Sequence, residues 1–302
     1  MKINTLSDYL KNQYHKKVYK LSISLGCTCP NRDGKLSTGG CIFCSQKGSG
    51  DFTYSNENIK TQIELQKKLV LNKIPKSIPE SERLYIAYFQ SFTNTYGNQQ
   101  RLMEIFSYVA QMKEIVIISI GTRPDCITDE MLDFLSSLNQ IKPVWVELGL
   151  QTIHDSSAEY INRCYKTSVF FEMYEKLKKK NLYVVAHVIL GLPCETKEMM
   201  KETVKALSEL NPVLDGIKLH LLHILENTAL GERYKSNPFK IFTLDEYCNL
   251  IIECLRLLKS ETVIHRMTGD GYKKYLIEPQ WSGNKKCVLN TLNKAIKNAP
   301  DY

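Results

Sequence analysis

The run CPNRDGKLSTGGCIFC, Cys29 to Cys44, decides how the chain is read. It sets Cys29 on a glycine-bearing loop and, after eleven intervening residues, the C-x2-C pair Cys41 and Cys44. Thiolates so arranged suit an iron–sulfur cubane, and three protein ligands leave one iron open to a molecule that chelates through amino and carboxylate groups. Gly34, Gly39 and Gly40 let the backbone wrap closely, and Phe43 is placed to shield a cluster edge from water. Two other readings use the same residues. A structural zinc site needs a fourth donor, which Cys27 would supply, and a plain buried loop needs no metal at all. Spacing leaves all three open.

Outward from this loop, short β-rich runs alternate with longer helical patterns, the rhythm of a parallel sheet with crossover helices. Strands are expected at Lys20–Leu25, Leu84–Phe89, Ile115–Ile120, Val144–Leu148, Tyr183–Leu190, Gly216–Leu222 and Thr262–Ile264. Helices are expected near Ile59–Leu71, Gln99–Met112, Asp129–Leu138, Val169–Lys180, Lys197–Leu210 and Asp245–Leu258. Polar motifs follow the strands: CTCPNRDG, QSFTNTYG, GTRPDC, ELGLQT, GLPCET and KLHLLH. That placement fits a barrel-like α/β domain, whose active site forms at the carboxyl ends of its strands. Residues 1–265 are assigned to the barrel and 266–302 to a loop-rich extension packed across it.

The 302 residues are 43% hydrophobic, enough for a sizeable core, and exclude a disordered chain. A net charge of +8 permits a polyanionic partner without demanding one. No apolar stretch approaches the length of a membrane span and the first twenty residues do not resemble a signal peptide, so a cytoplasmic protein is expected. Ten cysteines in a reducing compartment are not a disulfide framework. Cys126, Cys164, Cys194, Cys248, Cys254 and Cys287 are mostly expected to be small buried side chains.

The run CPNRDG-x4-GGCIFC, with GTRPDC, ELGLQT, INR, HVILGLP, GIKLHLLH, IHRMTGD and PQW following in order, resembles the radical S-adenosylmethionine (SAM) proteins of the YhcC/YtqA (MnmL-like) type, related to the radical SAM domain of the Elongator catalytic subunit. The resemblance covers nearly the whole chain. It implies a partial (β/α)6 TIM-like barrel, a [4Fe–4S] cluster on Cys29, Cys41 and Cys44, and reductive cleavage of SAM with an electron from a flavodoxin- or ferredoxin-like donor. Cys27 stands where the family has an apolar or aromatic residue, which removes it from the ligand set. Phe43, Gln90, Asn94, Thr95, Arg123, Gln151, Arg163, His187 and Gly191 fall where such proteins hold SAM. Gln151 and His187 also suit satisfied strand-end polar groups, and Arg123 suits a brace to Asp125.

For the substrate, the resemblance points to tRNA, with the wobble uridine side chain taken from 5-carboxymethylaminomethyluridine toward 5-aminomethyluridine. Lys218, His220, His223, His265 and Arg266, on or just after the late strands, are the substrate-side candidates, and a histidine there moves a proton near neutral pH. Tyr96, Tyr272 and Trp281 are candidates to stack an unpaired base. With no acetyltransferase-sized segment after the barrel, the second Elongator activity is expected to be absent. A peptide or small metabolite is the alternative substrate, and a zinc-stabilised RNA-binding module the non-enzymatic alternative.

Overall fold

The computed structural model of the chain describes residues 1–48, 53–55, 57–269, 271 and 273–300. Its strands are β1 (Val18–Ile23), β2 (Leu84–Phe89), β3 (Ile115–Thr122), β4 (Val144–Gln151), β5 (Tyr183–Leu190), β6 (Gly216–Leu221), β7 (Ile224–Leu225), β8 (Val263–Arg266) and β9 (Leu276–Glu278). The α-helices are α1 (Leu6–Tyr14), α2 (Ile59–Leu71), α3 (Gln99–Ala110), α4 (Asp129–Ile141), α5 (Asp155–Tyr160), α6 (Thr167–Lys179), α7 (Lys197–Ser208), α8 (Ala229–Ser236), α9 (Leu244–Leu257) and α10 (Lys285–Asn298). Seven strands form one parallel sheet in the order β1-β2-β3-β4-β5-β6-β8, curled into a half-barrel with helices outside. All seven strands expected from sequence are present.

Helices start where a side-chain oxygen satisfies a free backbone N–H, as at Thr128, Thr196 and Thr243. The outer faces of the strands and the inner faces of the helices make one core, with Phe89 and Phe106 meeting edge to face. Strand alternation then sends every second side chain into the barrel. The lowest layer inside is aromatic and aliphatic: Ile86, Ile117 and Trp145 pack with Leu10 of α1, and Tyr183 stacks on Trp145 at 4.8 Å. Helix α1 lies in the N-terminal stretch that composition marks as merely polar, and it plugs the barrel floor. Asn4 also lends its carbonyl to Ile264 N–H at 2.7 Å, covering part of the outer edge of β8.

The β6–β8 register shifts between Ile217 and Lys218, which pair with Ile264 and Arg266. His265 is the extra residue. The bulge turns it into the floor, where it stands edge-on to Trp145 and lies 3.2 Å from the Tyr183 hydroxyl. This corrects its assignment as a substrate-side residue: it is a floor residue, absent from the lining of the large cavity described below. Beyond β8, β9 pairs antiparallel with β7, and α10 packs with α9, a helix that the aperiodic look of the tail concealed. Trp281 donates its indole N–H to Phe242 O at 2.9 Å and packs against the core, so it is not a base-stacking platform. Cys126, Cys248 and Cys254 are buried as expected; Cys164, Cys194 and Cys287 are exposed.

A methyl group on Gly216 would come within 2.6 Å of His265 Nε2 and 3.3 Å of the Tyr183 hydroxyl. Gly216→Ala is therefore expected to destabilise the fold by about 1–3 kcal/mol through overpacking. A lower urea midpoint with an unchanged m-value would show it, and an unchanged midpoint would refute the packed floor.

Candidate functional site

At the carboxyl ends of the strands a cavity of about 750 Å³ opens, and Cys29, Cys41 and Cys44 all line it. The loop that carries them is tied down at several points. Arg32 donates to the carbonyls of Cys44 and Ser45 at 2.9 and 2.7 Å, while Asn31, fully buried, donates to Asn162 O at 2.5 Å. Asn162 answers by donating to Gly40 O at 2.9 Å, and Ile42 N–H bonds Ile161 O at 3.0 Å. The cysteine loop thus hangs from the INR segment. Burial, reinforced by Cys44, pushes the Cys41 thiol up to about 12, so a thiolate there needs a cationic partner such as iron. Among the described residues no three His, Cys, Asp or Glu side chains converge on a single ion. A cubane takes each thiolate on a different iron, and three cysteines around one cavity end fit that arrangement. Cys27 is not among the lining residues; it packs on the core, with burial raising its thiol to about 11. Phe43 lines the cavity beside Cys44 and packs on a small cluster with Ile42 and Leu230.

Beneath the cysteines the cavity rests on a charged layer carried by the strands. Glu147, only 1% exposed, sits at its centre on β4. Its Oε1 accepts from Ser119 Oγ at 2.6 Å and lies 3.8 Å from Lys20 Nζ. Its Oε2 accepts from His187 Nε2 at 2.7 Å and from Lys218 Nζ. The ammonium groups of Lys20 and Lys218 lie 4.4 and 4.3 Å from the centre of the Tyr88 ring, and Lys218 donates to its hydroxyl at 3.1 Å. Burial works against ionisation of Glu147, but Lys218, Lys20 and His187 outweigh it and hold the carboxyl below its usual range. Burial and Lys218 lower the His187 imidazole to about 4, and burial likewise depresses His220. Both rings are neutral at pH 7, 5.1 Å apart. Lys218, His220, His223 and Arg266 all line this cavity, as the sequence suggested. His223 fits between Gly269 and Gly271, where a methyl group would approach its ring to 2.5 and 2.7 Å.

The Radical SAM superfamily model matches residues 23–207, and the Radical_SAM C-terminal domain model matches residues 214–298. The chain belongs to the radical SAM superfamily. It is 40% identical to the uncharacterized protein YtqA of Bacillus subtilis over 99% of this chain and 91% of that one. It is 32% identical to protein YhcC of Escherichia coli K12, over 97% and 92% of the two chains. Elongator complex protein 3 of Schizosaccharomyces pombe is 28% identical over 64% of this chain, which spans 36% of that protein's length. In fold, the archaeal Methanocaldococcus infernus Elp3 with an N-terminal deletion superposes with a TM-score of 0.65 at 16% identity, covering 92% of this chain and 63% of that one. Methylornithine synthase gives 0.53 at 13% identity, over 97% and 86%. The cofactors of a radical SAM protein are a [4Fe–4S] cluster and SAM.

Several residues expected to hold SAM line the cavity: Gln90, Arg123, Gln151, Arg163 and His187. The two arginines are, however, already engaged. Arg123 grips Asp125 at 2.9 and 2.7 Å and donates to Arg163 O at 2.9 Å. Arg163 spends its donors on Leu150 O, Thr152 O, Tyr165 O and Thr167 Oγ1 at 2.7–3.2 Å, with Asp155 at 3.4 Å. Both guanidinium groups face the Tyr165 ring, at 4.8 and 4.3 Å. They shape the wall. Asn94 and Thr95 are buried off the cavity: Asn94 donates to Phe89 O and Gly121 O, and Thr95 bonds Thr122 and Cys126 O. Gln90, Phe92 and Thr93 are what that loop shows the cavity. Gly191 lines a separate pocket of about 220 Å³ beside Phe242 and Leu222. Lys20, Glu147, Tyr88 and Tyr165 escaped the sequence reading as site residues; Glu147 and Lys20 betray themselves as charges within strand patterns that are otherwise apolar.

Glu147→Gln would leave Lys218 and Lys20 in the barrel without their counter-ion, at an expected cost of about 3–5 kcal/mol in chemical denaturation. A loss under 1 kcal/mol, by the same reasoning, would mean the layer is not held by charge. His187, with its pKa lowered from 6.5 to about 4, leaves stability intact above pH 6.5 and removes it as the unfolded chain protonates between 6.5 and 4. Its contribution to that fall is on the order of 3 kcal/mol. The stability of His187→Gln should therefore vary less with pH in this window than the wild type, and identical slopes would contradict a buried neutral His187.

Proposed function

We propose that this radical SAM protein is a tRNA-modifying enzyme that acts on the wobble uridine, carrying 5-carboxymethylaminomethyluridine toward 5-aminomethyluridine. The observation that carries this reading is the lining of the cavity. Glu147 is the one carboxylate among its described residues, set against Lys20, Arg32, Lys73, Arg266 and Lys285 besides the two braced arginines. The lining also takes in Leu69 of α2, Lys73 just beyond that helix and Lys285 at the start of α10. A polyanion docked there would feed one unpaired base inward. Similarity to the Elongator relatives supports the same substrate. Of the proposed stacking aromatics, Tyr96 is half-buried under the Lys35 ammonium, and Tyr272 lies outside the described residues.

In this reading Cys29, Cys41 and Cys44 hold the cluster, and Phe43 and Gln90 and Gln151 border SAM. Held there and supplied with an electron by an external flavodoxin- or ferredoxin-like donor, the cluster would provide the reductive cleavage of SAM and with it the radical chemistry of the superfamily. The chain's own residues do the rest. The packed aromatic floor keeps water from entering below, and the Arg123–Tyr165–Arg163 stack fixes the wall beside the cysteines. His220, neutral and cavity-lining, has a buried Nε2 with no hydrogen-bond partner among the described residues, and is the group proposed to accept a proton.

The test is anaerobic incubation of the reconstituted, reduced protein with SAM and undermodified bulk tRNA, followed by nucleoside mass spectrometry. Aminomethyluridine should appear as carboxymethylaminomethyluridine falls, and Cys44→Ala should form no 5′-deoxyadenosine above background. SAM cleavage with unchanged nucleosides moves the substrate to a peptide or small metabolite. Stoichiometric zinc in place of about four irons per chain removes the radical chemistry altogether.

A further inference from the structure

Asn31 stands directly beside one of the three site cysteines. It is fully buried, and its amide nitrogen lies 2.5 Å from Asn162 O and 3.6 Å from Cys41 Sγ. The first partner settles which way the amide faces. A carbonyl only accepts, so the group against Asn162 O is the NH2 and not the oxygen. That NH2 has two hydrogens, one for the carbonyl and one for the sulfur. A three-cornered frame holds it there: Asn31 Nδ2 donates to Asn162 O, Asn162 Nδ2 to Gly40 O at 2.9 Å, and Gly40 N–H to Asn31 O at 2.8 Å. Gly40 directly precedes Cys41, so the frame fixes donor and sulfur against each other. The other end of the amide argues against a purely structural role. Asn31 Oδ1 is buried with no hydrogen-bond partner among the described residues, a desolvated acceptor that a leucine of similar size would avoid. Arg32 and the Ile42 N–H tether the loop independently. What the asparagine adds is an N–H beside Cys41.

We propose that Asn31 is a positioning residue that acts through Cys41: its amide donates to the Cys41 thiolate and so raises the reduction potential of the cluster held there. The proposal rests on Cys29, Cys41 and Cys44 as the cluster ligands and is independent of the tRNA reading. In the step concerned, one electron passes from the external donor to the cluster, and no bond is made or broken in the protein. The added charge is shared with the thiolate sulfurs, and an N–H aimed at one of them favours the more negative state over the less negative one. Asn31 neither carries charge nor titrates, so it eases reduction without adding a proton to the step. It thereby brings the cluster closer to the reach of a flavodoxin- or ferredoxin-like donor.

The experiment is an anaerobic potentiometric titration of the reconstituted holoenzyme, read by the electron paramagnetic resonance signal of its reduced cluster. Asn31→Leu should move the midpoint to more negative potential by roughly three- to tenfold in the reduction equilibrium, or about 28–59 mV for one electron. Arg32→Lys, which loosens the loop at Cys44 with charge and the Asn31 frame retained, should keep the wild-type midpoint. An Asn31→Leu protein with a wild-type midpoint overturns the proposal. So does an equal shift in Arg32→Lys, which would assign the effect to loop mobility. A second measurement needs no variant: in wild type labelled with 15N in its asparagine side-chain amides, electron–nuclear double resonance should detect 15N coupled to the spin of the reduced cluster. If Asn31→Leu fails to fold or to load iron, this coupling decides, and its absence overturns the proposal. Wild type that takes up no cubane removes the ligand assignment and the proposal together, whereas unchanged tRNA nucleosides leave both standing.

Discussion

A carboxylate buried at the centre of a parallel barrel imposes its terms on everything around it. Glu147 is ionised among apolar strands, and an uncompensated charge there would cost more than a whole domain's usual margin of stability. Four side chains from four other strands, Lys20, Ser119, His187 and Lys218, converge on its two oxygens. Each of those contacts is also a constraint on strand register. A slip of one residue in β1, β3, β5 or β6 would send its polar group outward into the core and leave Glu147 short of a partner.

The layers above and below Glu147 are held by different means. Below it, the aromatic floor of Trp145, Tyr183 and His265 is sealed by α1 mainly through packing, with the Tyr14 hydroxyl donating to Val116 O at 3.2 Å. Above it, the cysteine loop has little apolar surface to bury and depends instead on side chains that bond backbone carbonyls. Asn31, Arg32 and Asn162 serve that purpose, and Arg163 in turn fixes the end of β4. The guanidinium groups near the cluster end are spent on architecture, which leaves Gln90, Gln151 and main-chain groups to face a small ligand.

Much of this was legible beforehand because parallel strands and their following loops write themselves plainly. The apolar runs of β2 to β6 located the sheet, and the C-x2-C pair located the cluster end. What stayed hidden depended on side-chain direction. His265 looked equivalent to its neighbour Arg266 until a bulge sent it to the floor. Asn94 and Thr95 carry the right chemistry for a ligand but spend it on backbone and on Thr122. Arg163 reads as a free cation in sequence, although its donors are consumed within the stretch from Leu150 to Thr167, a matter of local folding that no spacing reveals. Helices α1 and α10 are amphipathic yet rich in lysine, asparagine and glutamine, so composition masked their apolar faces.

The division between a loop-borne rim and a strand-borne floor gives the scaffold a kind of modularity. Exchanging a side chain such as Ser22 or His220 redraws the chamber from beneath without disturbing the suspension of the cysteines, because the two are tied to different parts of the backbone. A lineage built on this plan is free to retailor what it accepts one inward-pointing position at a time while its ignition chemistry stays the same.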